Sequence, residues 1–387
     1  MPPPSRMCAC EPSMMSAPAR TRLRARDTCR SSGHASHCSP GSGRLRSPRL
    51  GYARGVEARR SAMRCVVYTG AGGNEVVSCE ERPDPVCGDE EVLIHAAFAG
   101  LNGADVAQRG GHYPAPPGWP ADIPGLEVAG VVHEVGAKVR GWQVGDRGWG
   151  LVGGGGLADR VAVHASCVVP VAERLDAREI AAVPEVFITA HDAIATQAGL
   201  RPGEVLLVHG AAGGVGSAAV QIGVAMGATV IGVSRHPEGR DAVAGWGATA
   251  IDAEGWPERV LELTGGRGAD VILELVGAPN WPGDIHCIAR RGRLAIVGIG
   301  AGQKVELALR DLMTKRATVF GTTLRARPLG EKVDAITRFH AECGPLFDRG
   351  RLDPVIDRAF PWHEAAEALA RMEGPGKVGK VLLDFSA

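Results

Sequence analysis

Apolar and polar positions follow two rhythms along this chain. The clearer one runs from Glu204 to Ser234. Val205 to Val208 is apolar at every position, which a strand buried on both faces requires. Gly210 to Gly216 then places four glycines in seven residues. A small-residue helical pattern continues to about Met226, Gly227 stops it, and Ala228–Val233 is again apolar. The same alternation goes on. It predicts helices at Glu238–Gly245, Pro257–Leu263, Ile285–Ala289 and Leu307–Lys315, and strands at Thr249–Asp252, Asp270–Val276, Arg293–Gly298 and Thr318–Thr323. Six parallel strands joined by crossover helices make a doubly wound sheet.

Before this region the rhythm is shorter. Strands are expected at Met63–Gly70, Val76–Glu81, Glu91–Ala99, Glu127–Val135, Asp146–Leu151 and Leu157–Val163, punctuated by Gly, Pro and Asp. Many short strands with few helices predict a partly closed barrel. Asp176–Leu200 reads as helical, cut in two by Pro184. After the sheet come helices at Gly330–Phe347 and Trp362–Arg371 and a closing strand, Lys380–Phe385.

Residues 1–62 follow neither rhythm. They hold twelve Arg, no Lys and three acids (Glu11, Asp27, Glu57), with much Ser, Pro and Gly. Such a segment buries too little apolar surface to offset its ordering, so a disordered extension is expected. Its composition suits either an organelle transit peptide or translated upstream sequence with Met63 as the working start.

The net charge of zero hides this asymmetry. Residues 63–387 carry 31 basic and 40 acidic side chains, so nucleic acid is not an expected partner. No apolar run is long enough to span a membrane. The ten cysteines show no C-x-x-C spacing, which predicts free thiols in a reducing, cytoplasmic setting. Cys167 and Cys287 lie in or beside apolar stretches and read as buried small hydrophobes rather than nucleophiles.

The strand–glycine turn–helix–strand order carries the first functional inference. Glycines let backbone approach a pyrophosphate, and the helix N-terminus holds its charge. Ala212, Gly213, Gly214, Val215 and Gly216 are therefore expected to bind a dinucleotide.

Three stretches together resemble one family: LNGADVAQRGGHYPAPPG (residues 101–118), PGLEVAGVVHEVG (124–136) and HGAAGGVGSAAVQ (209–221). They are similar to the medium-chain dehydrogenase/reductase superfamily, and within it to the zinc-free, zeta-crystallin-like NADPH:quinone oxidoreductase branch. The resemblance runs from Met63 to the tail KVGKVLLDF. It implies an α/β architecture in which a Rossmann domain (185–319) is inserted in a GroES-like catalytic domain (63–184 and 320–387), with a cleft between them. Zinc-dependent members hold their metal at positions that correspond here to Asn102, Leu126 and Glu185. That set is poor for zinc, so no metal is expected. Glu127 beside it is expected to partner a backbone or basic group.

The resemblance also implies a cofactor and an acceptor. The second Rossmann strand ends in Ser234 and Arg235, with Arg240 nearby and no carboxylate, which favours NADPH over NADH. The family's phosphate-binding Lys falls at Gly239 and its aromatic or His partner at Ala253, so the two arginines would have to substitute. Val276, Gly298 and Ile299 resemble the strand ends beside the nicotinamide. Tyr113 looks like the family's cleft-lining tyrosine, and Asn102 stands ready to hydrogen-bond the acceptor or cofactor; both are candidate catalytic residues. The expected activity is hydride transfer from NADPH to a quinone or activated enone, which needs no Lewis acid. The alternatives are an enoyl-thioester reductase and a non-catalytic NADPH-binding structural or regulatory protein. Relatives pair Rossmann sheets through the strand at Thr318–Thr323, which implies a homodimer.

Overall fold

The computed structural model describes residues 62–386. The expectations of disorder or targeting for residues 1–62 fall outside the described residues except at Ala62, which begins the first strand.

Six strands form one parallel sheet in the order Thr249–Ile251, Thr229–Val233, Val205–Val208, Ala269–Glu274, Ile288–Ile296, Thr318–Gly321. The order reverses between Val205–Val208 and its neighbour Ala269–Glu274. That reversal opens a crevice at the carboxyl edge of a doubly wound sheet, where ligands bind. The glycine turn leaves Val208 at this point and feeds the helix Gly214–Ala225. The last strand, Thr318–Gly321, straddles the domain boundary expected at 319.

The remaining strands form smaller sheets. Five antiparallel strands run in the order Arg160–His164, Glu91–His95, Glu127–Val135, Arg147–Leu151, Val168–Pro170. Ala62–Tyr68 pairs with Val77–Pro83, and the tail strand Lys380–Asp384 lies between Ile356–Pro361 and Phe98–Gly100. The chain's end thus pairs with residues nearly three hundred positions earlier.

Several expectations need correction. The single strand expected at Glu91–Ala99 is two, because the chain leaves the five-stranded sheet at Ala96 and joins the tail strand at Phe98. The strand expected at Arg293–Gly298 begins at Ile288, and Val297–Ile299 leave it as a loop beside the crevice. Its preceding helix is Trp281–Cys287, not Ile285–Ala289. The helix Gly103–Arg109 and the strands Val168–Pro170 and Ile356–Pro361 are too short for periodicity to reveal. Pro184 does divide the 176–200 region: it opens the helix Pro184–His191, which then widens into a π-helical turn, Asp192–Gln197. Phe187 of that helix packs edge-on against Phe347 at 5.0 Å, and Trp149 meets Phe347 at 5.5 Å. These rings tie the helix to Leu329–Asp348 and to the antiparallel sheet, so the side chains at its start sit on a rigid base.

Candidate active site

A cavity of about 850 Å³ opens at the sheet's reversal point. One wall is the glycine turn, Gly213 to Gly216, with Gly213 at the N-cap of its helix. The turn approaches its own strand end closely: a Cβ on Gly216 would lie 2.2 Å from the Gly210 carbonyl oxygen. Only glycine fits there, and the bare amides of the helix start face the cavity. The tail docks on the same turn, with the Gly379 amide donating to the Ala212 carbonyl at 2.8 Å. Ala212 is therefore buried beneath the wall rather than in it.

Gly298 and Ile299 line the same cavity from the loop after Ile288–Ile296. Val276 lies just behind Leu275, which is the residue of that strand end that reaches the lining. Asn102, Tyr113 and Leu126 line it from the opposite side. The structure thus gathers eight of the expected site residues: Gly213, Gly214, Val215, Gly216, Gly298, Ile299, Asn102 and Tyr113.

Ser234, Arg235 and Arg240 lie outside this lining. Ser234 is buried at the end of Thr229–Val233, and Arg235 beside it is exposed. Gly239 lets the helix Pro237–Gly245 pack against them, since a Cβ there would lie 2.4 Å from Ser234 Oγ. Arg240 is already engaged. Its Nη1 donates to the Ser234 and Arg235 carbonyls, each at 3.0 Å, and lies 2.6 Å from Asp252 Oδ2. That leaves Arg235 as the exposed cation at the strand end.

At Asn102 and Glu127, beside the cavity, stands a cation of the chain's own. Lys380 Nζ donates to Glu127 Oε1 at 2.6 Å, Asn102 Oδ1 at 2.7 Å and the Leu101 carbonyl at 2.8 Å. Asn102 Nδ2 donates to the same Glu127 oxygen at 2.8 Å. Glu127 Oε2 accepts the Glu185 backbone N–H at 2.8 Å. Glu127 therefore partners both a basic and a backbone group, as expected. Asn102 also caps the helix Gly103–Arg109, whose Asp105 carboxylate accepts the Asn102 N–H at 2.8 Å. Both ends of the Asn102 amide are committed to the protein. Lys380 went unnoticed in the sequence because a lone lysine opening a short apolar strand reads as a solvated end.

Tyr113 is held by a second missed residue. Arg325 Nη1 donates to the Tyr113 carbonyl at 2.9 Å, and its guanidinium lies 5.2 Å from the ring centroid. The same guanidinium donates to the Gly153 carbonyl at 2.8 Å and Gln108 Oε1 at 2.6 Å. Burial, reinforced by Glu185, raises the phenol above its usual range, so Tyr113 keeps its proton. Cys287 is likewise pushed up by burial to about 12, and Cys167 is raised; neither is a nucleophile.

Beneath the glycine turn lies a buried polar triad. His209 Nε2 is 2.8 Å from Asp284 Oδ1 and 3.7 Å from Glu274 Oε2. Burial lowers His209 to about 4 and raises Asp284 to about 8, so both are neutral near pH 7. Glu274 accepts the Gly277 N–H at 2.7 Å and Asn280 Nδ2 at 3.0 Å. The triad fixes the ends of two neighbouring strands where they form the cavity floor.

Comparison with known proteins follows the same lines. The model described as an alcohol dehydrogenase GroES-like domain matches residues 88–173, and that described as a zinc-binding dehydrogenase matches 214–339. Human quinone oxidoreductase is 31% identical over 329 residues, covering 83% of this chain and 97% of that protein. The structure of Escherichia coli quinone oxidoreductase complexed with NADPH superimposes with a TM-score of 0.75 at 26% identity, covering 84% of this chain and all of that one. The CurK enoyl reductase superimposes with a TM-score of 0.72 at 25% identity, covering 83% and 99%. Despite the wording of one matched model, the donors here do not fit zinc. Leu126 offers no ligand, and the Lys380 ammonium already satisfies Asn102 and Glu127.

Proposed function

The chain belongs to the quinone oxidoreductase family of medium-chain dehydrogenase/reductases and is an oxidoreductase, and from that premise we propose that it reduces quinones or similarly activated enones with NADPH, without zinc. One observation carries this: the glycine turn, the Gly298–Ile299 strand end and Tyr113 all face a single cavity. When bound, the reduced nicotinamide supplies a hydride. The chain's own work is alignment and exclusion of water. Gly213 to Gly216 and their helix N-terminus would hold the pyrophosphate. Gly298 and Ile299 would pass close to the nicotinamide, and Tyr113, clamped by Arg325, would wall the acceptor side. A quinone suits such a site, because its reduced product is aromatic and needs no Lewis acid.

NADPH is favoured over NADH by the strand end itself. Ser234, the exposed Arg235 and the start of the helix Pro237–Gly245 would meet a 2′-phosphate, and Val233 is followed by the Ser234 hydroxyl rather than a carboxylate. Arg240 acts behind this surface by holding the Ser234–Arg235 backbone, and Val276, behind Leu275, would back the nicotinamide side. We assign residues 185–319 to the dinucleotide-binding domain and 63–184 with 320–387 to the catalytic one. The partner is a second copy of the chain. Thr318–Gly321 is the edge of the six-stranded sheet, and Val305, Leu307, Leu309 and Met313 expose apolar side chains just before it. No helix among the described residues is long and apolar enough to cross a membrane. The free thiols of Cys65, Cys79, Cys87, Cys167, Cys287 and Cys343 support a cytoplasmic site of action.

An enoyl-thioester reductase is the second reading, favoured by the likeness to CurK enoyl reductase. Steady-state rates with 1,2-naphthoquinone and crotonyl-thioester, each with NADPH and NADH, separate the two. Faster turnover of the quinone with NADPH is expected. Exclusive turnover of the thioester would replace the first reading with the second, and tight NADPH binding with no turnover would favour a non-catalytic protein. Arg235→Ala is expected to raise the KM for NADPH while leaving that for NADH unchanged.

A further inference from the structure

Two carboxyl groups meet at the acceptor end of the cavity in opposite circumstances. Glu127 is saturated: Lys380 and Asn102 share one oxygen and the Glu185 N–H takes the other. Glu185 lines the cavity, yet among the described residues no donor reaches its carboxyl within hydrogen-bonding distance. It is the second residue of the helix Pro184–His191, which Phe187 braces against Phe347. Every cation facing it is committed elsewhere. Lys380 is bound to Glu127, Lys332 Nζ donates to the Arg325 carbonyl at 3.2 Å, and the Arg325 guanidinium serves Gly153, Tyr113 and Gln108. The other groups facing it are the carboxylates of Glu127 and Asp105 and the Tyr113 phenol.

We propose that Glu185 is a catalytic acid: it carries the proton that the acceptor oxygen takes as the hydride arrives. This rests on the quinone reductase reading above. In the step, the acceptor gains an electron pair and one hydrogen as hydride from the reduced dinucleotide, which is oxidised. The hydride's hydrogen ends on one quinone oxygen, the Glu185 Oε–H bond breaks as an O–H bond forms on the other, and the hydroquinone leaves neutral. The Glu185 carboxylate then takes a proton back from solvent.

Burial, followed by the Glu127 charge, raises Glu185 to about 8, so it is protonated at neutral pH and yet acidic enough to give the proton up. Tyr113, raised further into the alkaline range, is the weaker acid. Glu185 thus differs from the fully paired Glu127 beside it in having no partner that would hold its charge.

The test is Glu185→Gln, which keeps the shape but carries no transferable proton. NADPH affinity by calorimetry should stay within twofold of wild type, while kcat on 1,2-naphthoquinone falls by about 10²-fold. The wild-type kcat should decline above about pH 8, and the variant's pH profile should lose that limb. Independently of turnover, the wild-type-minus-variant infrared spectrum of the free enzyme should show a protonated carboxyl band that titrates near pH 8. A variant with wild-type kcat and the same alkaline limb, or a difference spectrum showing an ionised carboxylate at pH 7, overturns the proposal. Wild-type protein inert toward every quinone would instead overturn the quinone reading, and this role with it.

Discussion

Lys380 Nζ and Glu127 Oε1 lie 2.6 Å apart in a pocket where each side chain is almost wholly shielded from water. The pair joins the chain's last strand to the middle of its antiparallel sheet. Removing one member of such a pair leaves a buried charge uncompensated. Lys380→Met is therefore expected to cost about 3–5 kcal/mol in urea unfolding. Adding Glu127→Gln should restore a large part of that loss. A single variant within about 1 kcal/mol of wild type would mean that the pair does not hold the site together.

The glycine turn makes a prediction with an internal control. A Cβ on Gly216 would strike the Gly210 carbonyl at 2.2 Å, whereas one on Gly213 would meet the same oxygen at 3.3 Å. Gly216→Ala should lower stability by about 1–3 kcal/mol and weaken NADPH binding at least tenfold by calorimetry. Gly213→Ala, whose φ of −74° suits any residue, should change both far less. Equal effects from the two would contradict this account of the cradle.

The sheet and the glycine turn are legible in the sequence, and the features that are not share a cause. Val205–Val208 and Thr229–Val233 were readable as largely apolar runs beside glycines, whereas Ile288–Ile296, with three arginines, was readable only in its second half. The Gly213–Gly216 wall followed from the same rhythm. What periodicity cannot convey is which distant side chain arrives at a given point. Lys380 reaches Asn102 only because the tail strand pairs with Phe98–Gly100, and Arg325 reaches Tyr113 across more than two hundred residues. Glu185 was visible as a replacement for a metal ligand, but its lack of a partner is a property of the folded cavity. Arg240 shows the opposite: a plausible phosphate ligand in sequence, it is bound to Asp252 and two carbonyls in the structure.

The triad under the turn predicts a pH dependence with two signs. His209 in the native state titrates near 4, below the 6.5 of an unperturbed imidazole, so the unfolded chain binds a proton that the native chain refuses. Its contribution is present above pH 6.5 and is lost as pH falls toward 4. Asp284, raised from 3.8 to about 8, acts in the other direction: its contribution is present below pH 3.8 and fades as pH rises to 8. His209→Gln should flatten the acid side, removing about 2 kcal/mol of the stability difference between pH 6.5 and pH 4.5 in urea titrations. An unchanged acid limb in the variant would place the responsible group elsewhere.

Arg325 is expected to act on turnover through Tyr113. Arg325→Ala leaves the Gly153 and Tyr113 carbonyls and Gln108 Oε1 without their donor and frees the ring. Thermal unfolding should show a loss of about 2–4 kcal/mol. The KM for the quinone should rise while NADPH affinity is preserved. Loss of NADPH binding in a folded variant would show that Arg325 serves the cofactor side instead.

Hydride delivery to an activated acceptor needs no metal in a cleft where Lys380 already satisfies Asn102 and Glu127. It is tested most directly by NADPH oxidation with 1,2-naphthoquinone after exhaustive dialysis against a chelator. The dialysed enzyme should retain the full quinone-dependent rate, and added zinc should not increase it. Activity that vanishes on dialysis and returns with one equivalent of zinc would contradict the account.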